Sequence, residues 1–208
     1  ALLLEQEDGT PIEIMLAAPT GKAAAKLGES LKSVRGSLDC SPAVRDRLPI
    51  EARTIHRMLQ PVIGTSDFRY NAANRLPADV VIVDEASMVD LALLSKLVTA
   101  LADRARLVLI GDKDQLASVE AGAVLGDIFV RGLPLRFSHA FCRTAELATG
   151  ISLSPCGGED EKKGGLCDSI VNLVRSYRFE EKSGIGALSQ AVNRGSSDAV
   201  LDLLKVGH

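Results

Sequence analysis

Val80-Val81-Ile82-Val83-Asp84-Glu85-Ala86-Ser87-Met88-Val89-Asp90 is the stretch that decides how the rest of the chain is read. Four β-branched apolar residues in a row predict a strand buried on both faces, as in a parallel sheet. The run ends in two acids. Carboxylates at the end of a buried strand are costly unless they hold a metal or do chemistry. The carboxyl edge of an open α/β sheet is also where such sheets bind ligands. One reading is a Walker B element: Asp84 holds Mg²⁺, usually through water, and Glu85 polarises the water that attacks a γ-phosphate. The other is an ordinary strand that ends in Asp-Glu.

The residues that follow separate these readings. From Asp90 to Arg104 the pattern predicts an amphipathic helix, with Asp90 as N-cap and Leu91, Leu94, Leu97, Val98 and Leu101 on one face. A second apolar strand, Leu107-Val108-Leu109-Ile110, runs into Gly111-Asp112-Lys113-Asp114-Gln115-Leu116. Two buried strands, one helix apart, thus end in polar residues at the same sheet edge. A Gln placed there can contact both a γ-phosphate and bound nucleic acid. Asp-Glu-Ala-Ser with Gly-Asp-x-x-Gln-Leu at this spacing resembles motifs II and III of superfamily 1 DNA helicases. The longer run from Ala117 to Asp127 is similar, more specifically, to the RecD family, the alpha subunit of exodeoxyribonuclease V.

Upstream, Ala1-Leu2-Leu3-Leu4-Glu5-Gln6 reads as the tail of a helix, ended by Asp8-Gly9, and Ile12 to Ala17 as a strand. Ala18-Pro19-Thr20-Gly21-Lys22-Ala23 contains a Gly-Lys pair but is not a P-loop. Leu16 stands where the first P-loop Gly is required, and Ala23 where a hydroxyl must reach Mg²⁺. The chain has no other Gly-Lys. By resemblance the stretch is motif Ia, which implies that Pro19, Thr20, Gly21 and Lys22 present N–H groups, a hydroxyl and a charge to a DNA phosphate. A plain strand-to-helix turn with a Thr20 cap is the alternative. The helix that follows is expected to bury Ala24, Leu27, Leu31 and Val34. Gly36 to Pro49 reads as loop with at most a short helix. Ala52 to Leu59 resembles the Thr-x-His-x-Leu element, motif Ib, so Thr54 and His56 are expected at a second phosphate or a base. A lone His is more often a structural hydrogen-bonder. Gln60 to Pro77 has little periodicity, with Phe68-Arg69-Tyr70 as a short exposed strand.

Downstream, Ala121 to Arg131 predicts a helix with Val124, Leu125, Ile128 and Phe129 inward. Ser138 to Asp168, with its Cys156-to-Gly165 tract, reads as a flexible exposed segment. Ile170 to Phe179 predicts a short strand ending in Ser-Tyr-Arg-Phe, which resembles motif IV. The resemblance puts Arg178 at the γ-phosphate and Tyr177 on adenine; a planar cation suits the charge that builds on the phosphoryl oxygens. Without it, the two would be a surface Arg beside a core Tyr. Gly184-Ile185-Gly186 opens a helix with Leu188, Ala191 and Val192 buried, stopped by Gly195. Ser197 caps a last helix holding Val200, Leu201 and Leu204.

Composition sets the remaining bounds. The 208 residues carry a formal net charge of −3, so any contact with nucleic acid must be a local patch. The four cysteines form no Cys-x-x-Cys pair and read as reduced thiols. No apolar run reaches a membrane span and no signal-peptide pattern opens the chain, so a cytoplasmic protein is expected. The expected fold is α/β, a RecA-like P-loop NTPase-type parallel sheet with helices on both faces, truncated before the P-loop. Residues 1–137 would form the core of motor domain 1, 138–168 a flexible linker, and 169–208 the motif IV strand and closing helices of the same domain. The resemblance implies a fragment of an ATP-dependent helicase moving 5′-to-3′ on single-stranded DNA. Its cofactors would be ATP and Mg²⁺, and its partners DNA and two larger subunits of exodeoxyribonuclease V. The fragment alone would be inactive and would self-associate through uncovered surface. Two other readings are an AAA-type ATPase of different purpose, with a sensor Asn or Thr after the second strand, and a non-catalytic DNA-binding module on a degenerate NTPase fold.

Overall fold

A computed structural model describes residues 12–112, 124–131, 137–155, 166, 168–173 and 184–206. The chain divides into two units, Ala1–Val130 and Arg131–His208.

The first unit is built on four parallel strands. They are β1 (Ile14–Ala18), β2 (Ala52–Thr54), β3 (Val80–Val83) and β4 (Arg106–Leu109), in the order β2-β1-β3-β4. The register sets Ala18 opposite Thr54, Ala17 opposite Val83, and Val83 opposite Leu109. Alternate residues of a strand face opposite sides of the sheet. Ala17, Val81 and Val83 share one face and enter the main core with Ile55, Leu59 and Leu97. Leu16, Ala18 and Val80 face the other way and are also buried. Val80–Val83 is therefore the doubly covered strand that its composition predicts, with Ile82 half-buried.

The helices follow from caps as much as from apolar stripes. α1 (Gly21–Arg35) starts at Thr20 and lies along β1 and β2. It comes close because Gly28 is buried: a Cβ there would stand 3.2 Å from the Ile50 carbonyl oxygen. Ala24 is buried as expected, whereas Leu27 and Leu31 are half-buried and Val34 is exposed. α2 (Pro42–Arg47) is a short helix capped by Ser41 with Pro at its start. α3 (Ile55–Leu59) follows β2 directly and buries Ile55, Met58 and Leu59. The excursion after it makes one antiparallel bridge, Pro61 to Phe68, in place of a strand at Phe68–Tyr70.

α4 (Leu91–Ala100) is capped by Asp90, whose side chain accepts the Leu93 N–H at 2.7 Å. It buries Leu93, Leu94, Leu97 and Ala100; of the predicted face, Leu94, Leu97 and Leu101 are buried, whereas Leu91 and Val98 are 61% and 50% exposed. β4 also departs from expectation. It alternates, with Leu107 and Leu109 against the core and Val108 and Ile110 exposed. It pairs only with β3 among the described strands, so it is an edge and not a second doubly buried strand. α5 (Val124–Arg131) places Val124, Leu125 and Ile128 against the core.

In the second unit, α6 (His139–Thr149) forms within the stretch expected to be flexible. Ser138 caps it by accepting the Phe141 N–H at 3.0 Å, and Gly150 ends it at φ 70. Residues 170–173 lie outside any strand, and the rest of the expected strand, through Phe179, lies outside the described residues. α7 (Gly184–Asn193) and α8 (Ser197–Val206) pack together. Ala191 is buried and Leu188 half-buried, but Val192, Leu201 and Leu204 are exposed. The linker and domain boundaries expected at 138 and 169 remain a reading of sequence alone.

Candidate functional site

Parallel strands share one carboxyl edge, so the register decides what meets there. Thr20 to Lys22 follow β1, Thr54 ends β2 and His56 follows it, Asp84 and Glu85 follow β3, and Gly111-Asp112 follow β4. The edge is tied by backbone bonds. Asp84 N–H donates to Ala17 O at 2.9 Å, Ile110 N–H to Val83 O at 2.8 Å, and Ala86 N–H to Ile110 O at 2.8 Å.

The two acids are half-buried and differently held. Asp84 Oδ1 accepts the Glu85 N–H at 2.9 Å, which orients the carboxylate and leaves its other oxygen for a ligand. Glu85 is left-handed, at φ 54 and ψ 37. That region costs an L side chain about 1–2 kcal/mol, and such strain gathers where the fold fixes a functional group. A 3₁₀ turn, Ala86–Met88, follows at once. It buries Ser87, whose hydroxyl has no hydrogen-bond partner among the described residues; an unmet buried polar group costs about 1–3 kcal/mol.

Thr20 and Thr54 are both helix caps. Thr20 Oγ1 accepts the Ala23 N–H at 3.2 Å and Thr54 Oγ1 the Arg57 N–H at 3.2 Å. A hydroxyl that accepts can still donate to a phosphate, so the cap and the phosphate role are compatible. Thr20, Gly21 and Lys22 are exposed and Pro19 is half-buried. His56 is exposed, with its ring 5.8 Å from that of Phe68. Lys96 Nζ stands 5.1 Å over the same Phe68 ring and donates to Ser66 O. This Lys96–Phe68–His56 arrangement crosses three segments, so no local motif carries it. Gln115, Tyr177 and Arg178 lie outside the described residues.

The donor set fits Mg²⁺ in one manner only. Among the described residues no group of three or more His, Cys, Asp or Glu gathers to hold a metal. Mg²⁺ is commonly bound through one or two carboxylates with water and substrate phosphates, and Asp84 with Glu85 matches that use. The nucleotide fits less well, because the Pro19–Lys22 turn lacks both the first P-loop Gly and the hydroxyl after Lys. No helix among the described residues is long and apolar enough to cross a membrane.

Comparison with known proteins agrees with this geometry. Residues 2–121 match the protein family described as "AAA domain". The chain is similar to "RecBCD enzyme subunit RecD" of Haemophilus influenzae, 38% identical over 97% of this chain and 31% of that protein. The RecD subunit of Mycolicibacterium smegmatis is 44% identical over 100% of this chain and 32% of its own length. The "ATP-dependent RecD2 DNA helicase" of Deinococcus radiodurans is 41% identical over 55% of this chain and 13% of that protein. The chain thus spans roughly a third of the RecD subunits it matches. With a parallel RecA-like sheet and acids at its carboxyl edge, the chain belongs to the AAA domain family, and along its length it is similar to RecD subunits.

Proposed function

We propose that the chain is part of the first motor domain of an ATP-dependent DNA helicase that moves 5′-to-3′ along single-stranded DNA. By its likeness to RecD subunits, the whole protein would be the alpha subunit of exodeoxyribonuclease V, working in recombination and repair with two larger subunits. The observation that carries the reading is the shared carboxyl edge, where the ends of β1 and β2 stand beside the two acids of β3.

In this reading Asp84 holds Mg²⁺, which neutralises charge on the β- and γ-phosphates when bound. Glu85 orients the attacking water and takes its proton. Gln115 senses the γ-phosphate and passes the signal to DNA, Arg178 steadies the transferring phosphoryl group, and Tyr177 stacks on adenine. Pro19, Thr20, Gly21, Lys22, Thr54 and His56 hold the DNA strand. The chain by itself, lacking a phosphate cradle, hydrolyses no ATP in this reading. It self-associates through the outer edge of β4, where Val108 and Ile110 are exposed. Light scattering reads this directly, and a clean monomer at high concentration would contradict it.

The reading is tested with the full-length protein, ATP and duplexes bearing one single-stranded tail. Unwinding is expected from a 5′ tail and not from a 3′ tail. Unwinding from 3′ tails alone would reverse the polarity. DNA binding with no ATP hydrolysis would favour the non-catalytic module.

A further inference from the structure

The turn that carries Glu85 touches the exit of β4 backbone to backbone. A Cβ built on Gly111 would lie 2.9 Å from the Ser87 nitrogen and 3.2 Å from the Ala86 nitrogen. Only a residue without a Cβ lets the two segments approach this closely, and Ala86 N–H fastens them by donating to Ile110 O. Ser87 belongs to that contact. It is 6% exposed, and its hydroxyl is unpaired among the described residues.

Buried hydroxyls are normally paired, and each exception calls for a reason. Alanine would fill the same place without the unmet donor. Packing therefore does not explain a serine here, whereas a second state in which the hydroxyl is bonded does. The exit of β4 lies against the backbone of this residue and carries oxygens that can accept such a bond.

We propose that Ser87 is a positioning residue for Glu85: in the nucleotide- and DNA-bound protein its hydroxyl donates to an oxygen of the Gly111-Asp112 exit, fixing the turn on which Glu85 stands. The inference rests on Glu85 as the residue that orients the attacking water. It makes the exit of β4 a mechanical input to that carboxylate, through the one place where the two turns already meet. The effect falls on turnover and spares nucleotide binding, because Ser87 is placed to move Glu85 and not to touch phosphate.

The test is Ser87→Ala in the full-length protein, read by steady-state ATPase with and without single-stranded DNA and by thermal unfolding. The melting temperature is expected to stay level or rise, since the change removes an unpaired buried hydroxyl. KM for ATP is expected within about twofold of wild type. DNA-stimulated kcat is expected to fall by about tenfold or more, because a misplacement of ~1 Å can cost about a hundredfold. Wild-type turnover in Ser87→Ala would overturn the inference alone. So would a loss of turnover matched by a lower melting temperature, which would show the hydroxyl bonded in the resting protein. A wild type without DNA-stimulated turnover would overturn the motor reading and the inference with it.

Discussion

At the scale of single residues, one side chain often serves the fold and the proposed site together, and the two services have different signatures. Thr20 caps α1 while facing solvent at the turn proposed to meet DNA. Lys22, the second residue of the helix, is exposed and caps nothing. Thr20→Ala should therefore cost about 1 kcal/mol of stability from the lost cap, and Lys22→Ala almost none. Both should weaken binding of single-stranded DNA by the full-length protein, evenly across sequences, since phosphate contacts read no bases. Only the Lys change should make the salt dependence shallower, by about one unit of log–log slope. Urea unfolding beside a salt titration of DNA affinity separates the two effects. Unchanged affinity in both variants would leave this turn as a plain strand-to-helix connection.

At the scale of elements, α4 shows where the sequence was legible and where it was not. Its cap and position between two strands could be read, because Asp90 and the flanking apolar runs are strong local signals, but it ends at Ala100, short of the expected Arg104. Its buried face could be read only in part: Leu94, Leu97 and Leu101 are buried as expected, Leu91 and Val98 are not. Leu91-Ala92-Leu93-Leu94-Ser95-Lys96-Leu97-Val98 is apolar on nearly every side, so more than one stripe fits the helical period, and tertiary packing chose. The choice set Leu97 fully inside the core and Val98 half outside it. Leu97→Ala should cost about 2–5 kcal/mol, and Val98→Ala within about 0.5 kcal/mol; equal losses in chemical denaturation would contradict this packing. β4 erred for another reason. Its four apolar residues look like those of β3, but burial depends on what lies beside a strand, which composition does not record. α6 has small residues in place of a bold stripe, yet its ends, Ser138 and Gly150, were there to be read. The place of the two acids was the most legible part of the candidate site, since an apolar run closed by two charges marks where a buried strand ends. The contact between Gly111 and Ser87 was not legible at all, because only the folded register brings β4 against the turn after β3.

At the scale of the whole molecule, the account holds that one sheet edge converts ATP hydrolysis into movement on DNA. Turns from four strands converge there, and the RecD likeness extends over the full chain. Net charge is slightly negative, so DNA affinity has to come from local turns and not from the overall field. The claim narrows to Glu85, the strained carboxylate at the centre of that edge. The measurement is phosphate release by the full-length protein carrying Glu85→Gln, with and without single-stranded DNA, beside direct binding of ATP and of DNA. A group acting mainly in the transition state affects turnover and not ground-state binding. Both affinities should stay near wild type while DNA-stimulated hydrolysis falls by about a hundredfold or more; ordinary turnover in Glu85→Gln would contradict the account.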